Sequence, residues 1–515
     1  MTRIRTAAGA ALAGFALAMT VGQGVDAQAP KRGGVLTLAR QGEATNLDPH
    51  KVPAFTSHRV FELVYSTLTR LGPDLLVQPD LAESWVIAPD GKQISFRLRP
   101  AKFHNGDPVT SADVKFTLER IVNPDTKAVA RAWFLDVDRI EAPDARTLVL
   151  HLKQPNVALL VYLAHPNASV ISQKVAQGAG GDLSRKEHAI GSGPFRLAEW
   201  APDNFMRFEA FREFYVQGQP YLDGVRINIV PDEAGLVAAL RTKAADVALI
   251  GDARVAQTLS RESGVTVSAK PSLNYHLLFL NTKRKPLDHP KVRQAIAYAI
   301  DRKQIIDTVA LGSGDQTGPL PPSLAQYALP VAEYELYRRD VGKARQLLQE
   351  AGVGPVSLTI LTQSTEPVYA KDIAQIVQQQ LGEAGIRLSI ELLEFGQWVQ
   401  RWLKADFDMA PGLNSGQPDP DFYLFRYFTN DGNLNFVHSY QNATSSDAIK
   451  RARTTADPAR RRELYATAQR ELVAGVPFVW LYVGRDYVAM PPTTKGFVHL
   501  PTGSIAYLRQ TWLDR

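Results

Sequence analysis

There is no cysteine anywhere in the 515 residues. That absence excludes disulfides, thiolate metal sites, a cysteine nucleophile and a lipid-bearing cysteine. Equally missing are a G-x-S-x-G elbow, an H-E-x-x-H pair, a P-loop and the motif set of protein kinases, so no sequence signature announces covalent chemistry. The ten histidines are scattered. None stands at a metal-ligand spacing from another, and His50 and His58 read as solvent-facing or core-satisfied, so no metal and no cofactor is expected. Charge is short of clusters too. Fifty-eight basic residues against 52 acidic ones give a net +6, and no basic run exceeds Arg460-Arg461-Arg462, which reads as a solvated helix face. A nucleic-acid partner is therefore not expected.

What is present describes a folded, exported chain. Hydrophobic residues make up 45% and charged residues 21%, a globular composition, and the length calls for two or three lobes rather than one small core. Arg3 and Arg5 precede a small-apolar run at residues 7–21, followed by the small-residue sites Val25-Asp26-Ala27 and Ala27-Gln28-Ala29. This pattern is a cleavable signal over residues 1–27, too short and too rich in glycine and alanine for a membrane anchor. No later segment approaches the length of a membrane span.

The most informative stretch runs from Pro79 to Ile121. Asp90-Gly91 is a tight turn after Leu81-Ala82-Glu83-Ser84-Trp85 and before the β-rich Gln93-Ile94-Ser95-Phe96-Arg97-Leu98-Arg99, because glycine accepts the positive φ of hairpin turns. Asn105-Gly106-Asp107-Pro108 is a second turn. Thr110 or Ser111 then caps a helix carrying Val114, Phe116, Leu118 and Ile121, with Asp113 favourable in its first turn. Two further stretches stand out. Ile190-Gly191-Ser192-Gly193-Pro194-Phe195 lacks the spacing of a phosphate cradle and reads as the entry to a strand. The third is Tyr275-His276-Leu277-Leu278-Phe279-Leu280-Asn281-Thr282, followed by Asp288 as a helix cap and Pro290 in the first turn of a helix whose face is Val292, Ile296, Ala299 and Ile300. Elsewhere residues 58–71 read as helical and 133–152 as strands. Residues 340–351 form a helix between Asp340 and Gly352, and 356–403 alternate strand and helix.

These three ordered strings resemble the extracellular solute-binding proteins of family 5, the peptide/nickel-type components of ABC importers, and the likeness extends over essentially the whole mature chain. The resemblance implies an α/β fold of the type II periplasmic-binding-protein kind, with two main lobes, a hinge near Asn281 and an inserted accessory lobe. Residues 30–75, 190–280 and 484–515 would build the first lobe, 76–189 the accessory lobe and 282–483 the second lobe. It also implies a monomeric periplasmic protein, free of a lipid anchor, that delivers its solute to an inner-membrane permease.

The candidate ligand-binding residues follow from the same likeness and from side-chain chemistry suited to an enclosed site. They are Glu43 and Asn46 in the loop after the first strand, Tyr275 and Asn281 near the first crossing, Trp398, Asn414, Asp419 and Asp421, and Trp480 and Tyr482. Dipeptide-binding relatives hold the peptide amine with an Asp and the carboxylate with an Arg. Those positions correspond here to Asn414 or Ser415 and to Ser364, and neither carries charge. A peptide or peptide-like solute is the expected cargo, with a sugar, an opine-like acid or a metal chelate as alternatives. A secreted hydrolase using Asp419 or Asp421 is the competing class, and a holdase with exposed apolar patches is a third.

Overall fold

The computed structural model describes residues 29–363, 369–414 and 416–515. The segment read as a signal, over residues 1–27, and Ser364 and Ser415 lie outside them. The chain is α/β. Its main feature is one mixed sheet of eleven strands. Across it, in order, lie Arg387–Leu393, Ser357–Gln363, Met409–Asn414, Thr266–Leu280, Phe478–Met490, Val247–Ile250, Val35–Arg40, Gly224–Ile229, Phe205–Ala210 and Phe195–Ala201, with Asp315–Gln316 also paired to Phe478–Met490. Ser357–Gln363 and Arg387–Leu393, with the helix Ala370–Glu383 between them in sequence, are parallel, and the pairs through the centre are antiparallel.

Two strands exceed the ordinary length. Thr266–Leu280 has 15 residues and Phe478–Met490 has 13, and at about 3.3 Å per residue the longer spans roughly 50 Å. They pair with each other at the middle of the sheet. One end rests on a core of Leu36, Leu38, Val60, Phe61, Val225 and Ile227. The other rests on a core of Leu278, Leu280, Val292, Ile296, Ile360, Val377 and Leu481. A separate four-stranded antiparallel sheet, in the order Ala82–Ile87, Gln93–Leu98, Thr147–Leu152, Val137–Asp144, packs Phe96, Leu98, Leu148 and Leu150 against Val114 and Leu118 of the helix Ser111–Val122.

Local chemistry accounts for most element ends. Thr110 and Asp113 form a reciprocal capping box at that helix, and Gly91 takes φ 68° in the hairpin turn. Asp340 accepts from the Lys343 N–H, and Gly352 ends the same helix in the left-handed region at φ 64°. Three expectations are corrected. The helix read over 58–71 is Phe55–Val64, and Thr69–Leu71 is instead a strand against Val77–Pro79. Here the β-branched Thr67 donates its hydroxyl to the Thr69 carbonyl, a local bond that competes with helix continuation. Residues Arg131–Phe134 form a short 3-10 turn ahead of the expected strands. The cap before Pro290 is His289, which accepts from the Lys291 N–H, rather than Asp288.

A buried charge cluster joins the four-stranded sheet to the helices after residue 419. Asp419 caps the helix Pro420–Phe428 and receives Nη2 of Arg461 at 2.9 and 3.0 Å. Asp421, fully buried, accepts from the Tyr162 hydroxyl and faces Arg453 at 3.3 Å. Arg453 also reaches Asp136, at 2.9 Å, in the segment between the 3-10 turn and the sheet. Trp133 lies 5.3 Å from Phe422, centroid to centroid, beside it. Removing one member of such a cluster strands the remaining charges in a dry environment. Arg453→Ala is therefore expected to destabilise the protein by about 3–5 kcal/mol, seen as a lowered thermal midpoint. A loss below about 1 kcal/mol, the range of a solvated pair, would contradict this account.

Candidate ligand-binding site

The pairing of the two long strands shifts register twice near its middle, between Pro271 and Tyr275 and between His276 and Leu277. Pro271 pairs with Arg485 and Tyr275 with Val483, so three residues, Ser272, Leu273 and Asn274, stand opposite the single Gly484. Proline has no N–H for a ladder and is tolerated inside a sheet at such an irregularity. The backbone diverges here, and beside it lies a cavity of about 670 Å³. Ser272, Asn274 and His276 line it from one long strand and Tyr482, Gly484, Arg485 and Asp486 from the other. Arg40, Gln41 and Gly42 enter from the end of Val35–Arg40, and Thr56 and Arg59 from the helix Phe55–Val64. Leu413, Tyr369, Phe395, His499 and Thr502 also line it.

Several buried polar atoms of this wall have no hydrogen-bond partner among the described residues. Arg40 is 1% exposed, and its Nη1 donates to the Thr56 carbonyl at 2.7 Å, yet Nε and Nη2 make no hydrogen bond within the protein. The same holds for Nδ1 of His276, the Tyr482 hydroxyl, Oδ2 of Asp486, Nε2 of His499 and Oγ1 of Thr502. Buried polar groups in folded proteins are almost always satisfied, so six residues with orphaned atoms around one cavity mark a place where something else satisfies them.

Charge states follow from burial. Loss of hydration, then the neighbouring Arg59 charge, pull the Arg40 guanidinium down to about 9, and it remains a cation at neutral pH. Burial pushes the Asp486 carboxyl up to about 6 against the Ser272 hydroxyl and the Arg59 charge. Burial likewise lowers His276 and His499 to about 4, which makes both neutral imidazoles at pH 7. His276 stacks on Tyr482 with centroids 4.4 Å apart. A smaller pocket of about 90 Å³ adjoins, sharing Phe55, Arg59, Thr502, Gly503 and Ser504 with the larger one and adding Glu62.

Of the ten residues singled out from sequence, Tyr482 lines the cavity. The other nine are engaged elsewhere. Glu43 accepts from the Trp200 indole and the Asp203 N–H, and Asn46 accepts from the Asp48 N–H. Tyr275 receives Nδ2 of Asn414 at 2.8 Å and stacks on Tyr423, while Asn281 donates to the Ala405 and Phe407 carbonyls. Trp398 donates to the Leu361 carbonyl, and Trp480 is core. Asp419 and Asp421 belong to the buried arginine cluster described above. Sequence reasoning passed over Arg40, Arg59, His276, Asp486 and His499. A signal existed for Arg40, since a cation closing the apolar strand Val35–Arg40 is hard to bury without purpose.

Among the described residues no group of three or more His, Asp or Glu could hold a metal ion, and no helix is long and apolar enough to cross a membrane. The arrangement offers donors, acceptors and aromatic faces.

Comparison with known proteins gives a consistent picture. The family model described as bacterial extracellular solute-binding proteins, family 5, middle region, matches residues 77–435. The glutathione-binding protein GsiB of Pectobacterium atrosepticum is 29% identical over 480 residues, which is 89% of this chain and 90% of that protein. GsiB of Salmonella typhi is 29% identical over 486 residues, covering 90% and 91%. Among solved structures, the periplasmic binding protein AgaA of A. tumefaciens with agropinic acid has a TM-score of 0.86 at 28% identity, covering 94% of this chain and 99% of that one. The ABC transporter-associated periplasmic binding protein DppA of Helicobacter pylori with the peptide STSA has a TM-score of 0.84 at 26% identity, covering 94% and 99%.

Glu62 in the smaller pocket generates a pH prediction. Burial pushes its carboxyl up to about 7 from 4.5, against the Ile505 N–H, the Ser504 hydroxyl and Arg59. The folded state then holds a proton that the unfolded chain has released, so this group lowers stability as pH rises from about 4.5 through about 7. Glu62→Gln keeps an acceptor for Ile505 without the titration. The difference in thermal midpoint, variant minus wild type, is expected to grow across that window, and a difference independent of pH would refute the assignment.

Proposed function

The chain belongs to family 5 of the bacterial extracellular solute-binding proteins, a solute-binding component of an ABC importer rather than an enzyme, and from that premise we propose that the 670 Å³ cavity holds a peptide or peptide-like solute in the periplasm. The observation that carries the reading is the ring of unpartnered buried polar atoms on Arg40, His276, Tyr482, Asp486, His499 and Thr502. Their mixture of donors and acceptors suits a ligand that carries both, as amides and amino acids do. The volume lies within the ordinary range for small-molecule sites.

The lobe division supports the mechanism. Residues 30–75, 190–280 and 484–515 are taken as one lobe, 76–189 as its accessory lobe and 282–483 as the other, meeting at a hinge near Asn281. Arg40, Arg59 and Asp486 then line the cavity from the first lobe, and Tyr369, Phe395 and Leu413 from the second. A solute touching both sides favours the closed arrangement by the difference in its affinity for the two states, and no bond is made or broken. The closed monomer would present that arrangement to its permease. Relatives named for glutathione and structures holding agropinic acid or a tetrapeptide set the chemical range from which the solute is sought.

Thermal unfolding against glutathione, the tetrapeptide Ser-Thr-Ser-Ala, agropinic acid and maltotriose tests the reading. A true ligand at a hundredfold excess over its dissociation constant adds about 2.7 kcal/mol of stability. Gly484→Trp supplies the control. A Cβ at Gly484 meets only the Tyr482 ring, at 3.7 Å, so a side chain can be attached at this cavity-lining position, and an indole there is expected to fill part of the cavity. The variant is expected to fold and to lose the ligand-induced shift. Undiminished binding by Gly484→Trp would place the site elsewhere, and turnover of a bound solute would overturn the transport role.

A further inference from the structure

Arg40 presents a specific shape as well as a charge. A guanidinium offers two parallel N–H donors along its Nε–Nη2 edge, the geometry that matches the two oxygens of a carboxylate. In Arg40 the third nitrogen, Nη1, is committed to the Thr56 carbonyl at 2.7 Å, which fixes the plane of the group. The Nε–Nη2 edge is the part that has no partner among the described residues, although the residue is almost fully buried and lines the cavity.

Among the described residues no carboxylate forms an ion pair with this cation, although the Glu43 charge acts on it. The charged residues of the cavity wall are Arg40, Arg59, Arg485 and Asp486, three cations to one anion. Arg485 is engaged by Asp315 at 3.0 Å, and Arg59 donates Nε to the Gly503 carbonyl at 3.0 Å. A buried guanidinium without a counter-charge is costly, and the cost is recovered when an anion enters beside it. A neutral solute such as a sugar would leave the Nε–Nη2 edge of Arg40 facing an uncharged partner.

We propose that Arg40 is the carboxylate clamp of the cavity, holding an acid group of the solute side-on through Nε and Nη2. This rests on the reading of that cavity as the solute site. It narrows the cargo to an organic acid, such as a peptide with a free C-terminus or an amino-acid conjugate. The same wall provides an acceptor, Oδ2 of Asp486, for an amine or amide on such a molecule. A second anionic group would face that carboxylate, so a monocarboxylate end fits the wall better than a phosphate does.

The test uses the purified protein and acetate as the probe, with inorganic phosphate and chloride at matched ionic strength and pH. Thermal midpoints are followed for wild type, Arg40→Gln and Arg40→Lys, and each variant is compared with itself in chloride, so an altered baseline stability cancels. Acetate is expected to raise the wild-type midpoint, to raise that of Arg40→Lys less, because an ammonium lacks the fork, and to leave Arg40→Gln unmoved. Equal acetate responses in wild type and Arg40→Gln, or no wild-type response, would overturn the clamp. A response to phosphate without one to acetate would overturn its carboxylate selectivity. For Ser-Thr-Ser-Ala, amidation of the C-terminus is expected to weaken wild-type binding by roughly tenfold to a hundredfold and to change Arg40→Gln little. Peptide binding that survives Arg40→Gln but fails in Gly484→Trp would sink the clamp alone, whereas binding that survives both would sink the cavity assignment with it.

Discussion

The pairing of Thr266–Leu280 with Phe478–Met490 is the constraint on which the rest of the molecule depends. These two strands run from one core to the other, so the two ends of the sheet are joined through one long antiparallel pair. A ladder that ran without interruption would put a flat, fully bonded surface at the centre. Pro271 and the three-against-one mismatch opposite Gly484 prevent that. The irregularity increases local twist and turns polar side chains toward one side, and the cavity lies where those side chains converge. The same few residues therefore carry both the mechanical continuity of the fold and the opening within it.

Burial of charge is handled in two opposite ways. In the cluster of Asp136, Asp419, Asp421, Arg453 and Arg461, each dehydrated carboxylate has a dehydrated guanidinium within 3.3 Å. Coulomb attraction in the low-dielectric interior then offsets much of the desolvation. Arg40 is likewise buried, but the charges acting on it are another cation, Arg59, and Glu43, and among the described residues no carboxylate forms an ion pair with it. The contrast argues that the first group serves cohesion and the second serves recognition. Asp419 and Asp421 are the two residues that invite an acid–base reading, and they are the ones whose charge is already spent.

Much of the architecture was legible because it is written in local chemistry. Asp90-Gly91, the Thr110–Asp113 box, Asp340 with Gly352, and the alternation over 356–403 all act through neighbours in sequence, and each appears where its turn or cap chemistry puts it. The site was less legible for a physical reason. Aromatic and amide residues such as Tyr275, Trp398, Asn414 and Trp480 have the composition of a binding pocket, but composition does not distinguish a pocket from a core with satisfied polar tips. Whether Tyr275 meets a solute or Asn414 is decided by a strand register, Tyr275 opposite Asn414, that joins residues 139 apart. Cavity residues such as Asp486 and His499 are single polar positions in otherwise unremarkable segments. Only the three-dimensional count of unsatisfied atoms brings them together.

That count also bears on how recognition is achieved. The donors and acceptors around the cavity are mounted on the two long strands, on the end of Val35–Arg40 and on the loop carrying His499 and Thr502. Several are held by a second contact: Nη1 of Arg40 by Thr56, Nδ1 of His499 by Ser268, and the His276 ring by its stack on Tyr482. Side chains held in this way lose little further freedom when a solute arrives, so more of each new hydrogen bond appears as affinity. The desolvation of Arg40 was incurred when the chain folded, and an entering acid meets a cation already stripped of water. Selectivity then arises from what the wall would leave unpaired, since a solute lacking the acid leaves unsatisfied an edge that no described residue satisfies.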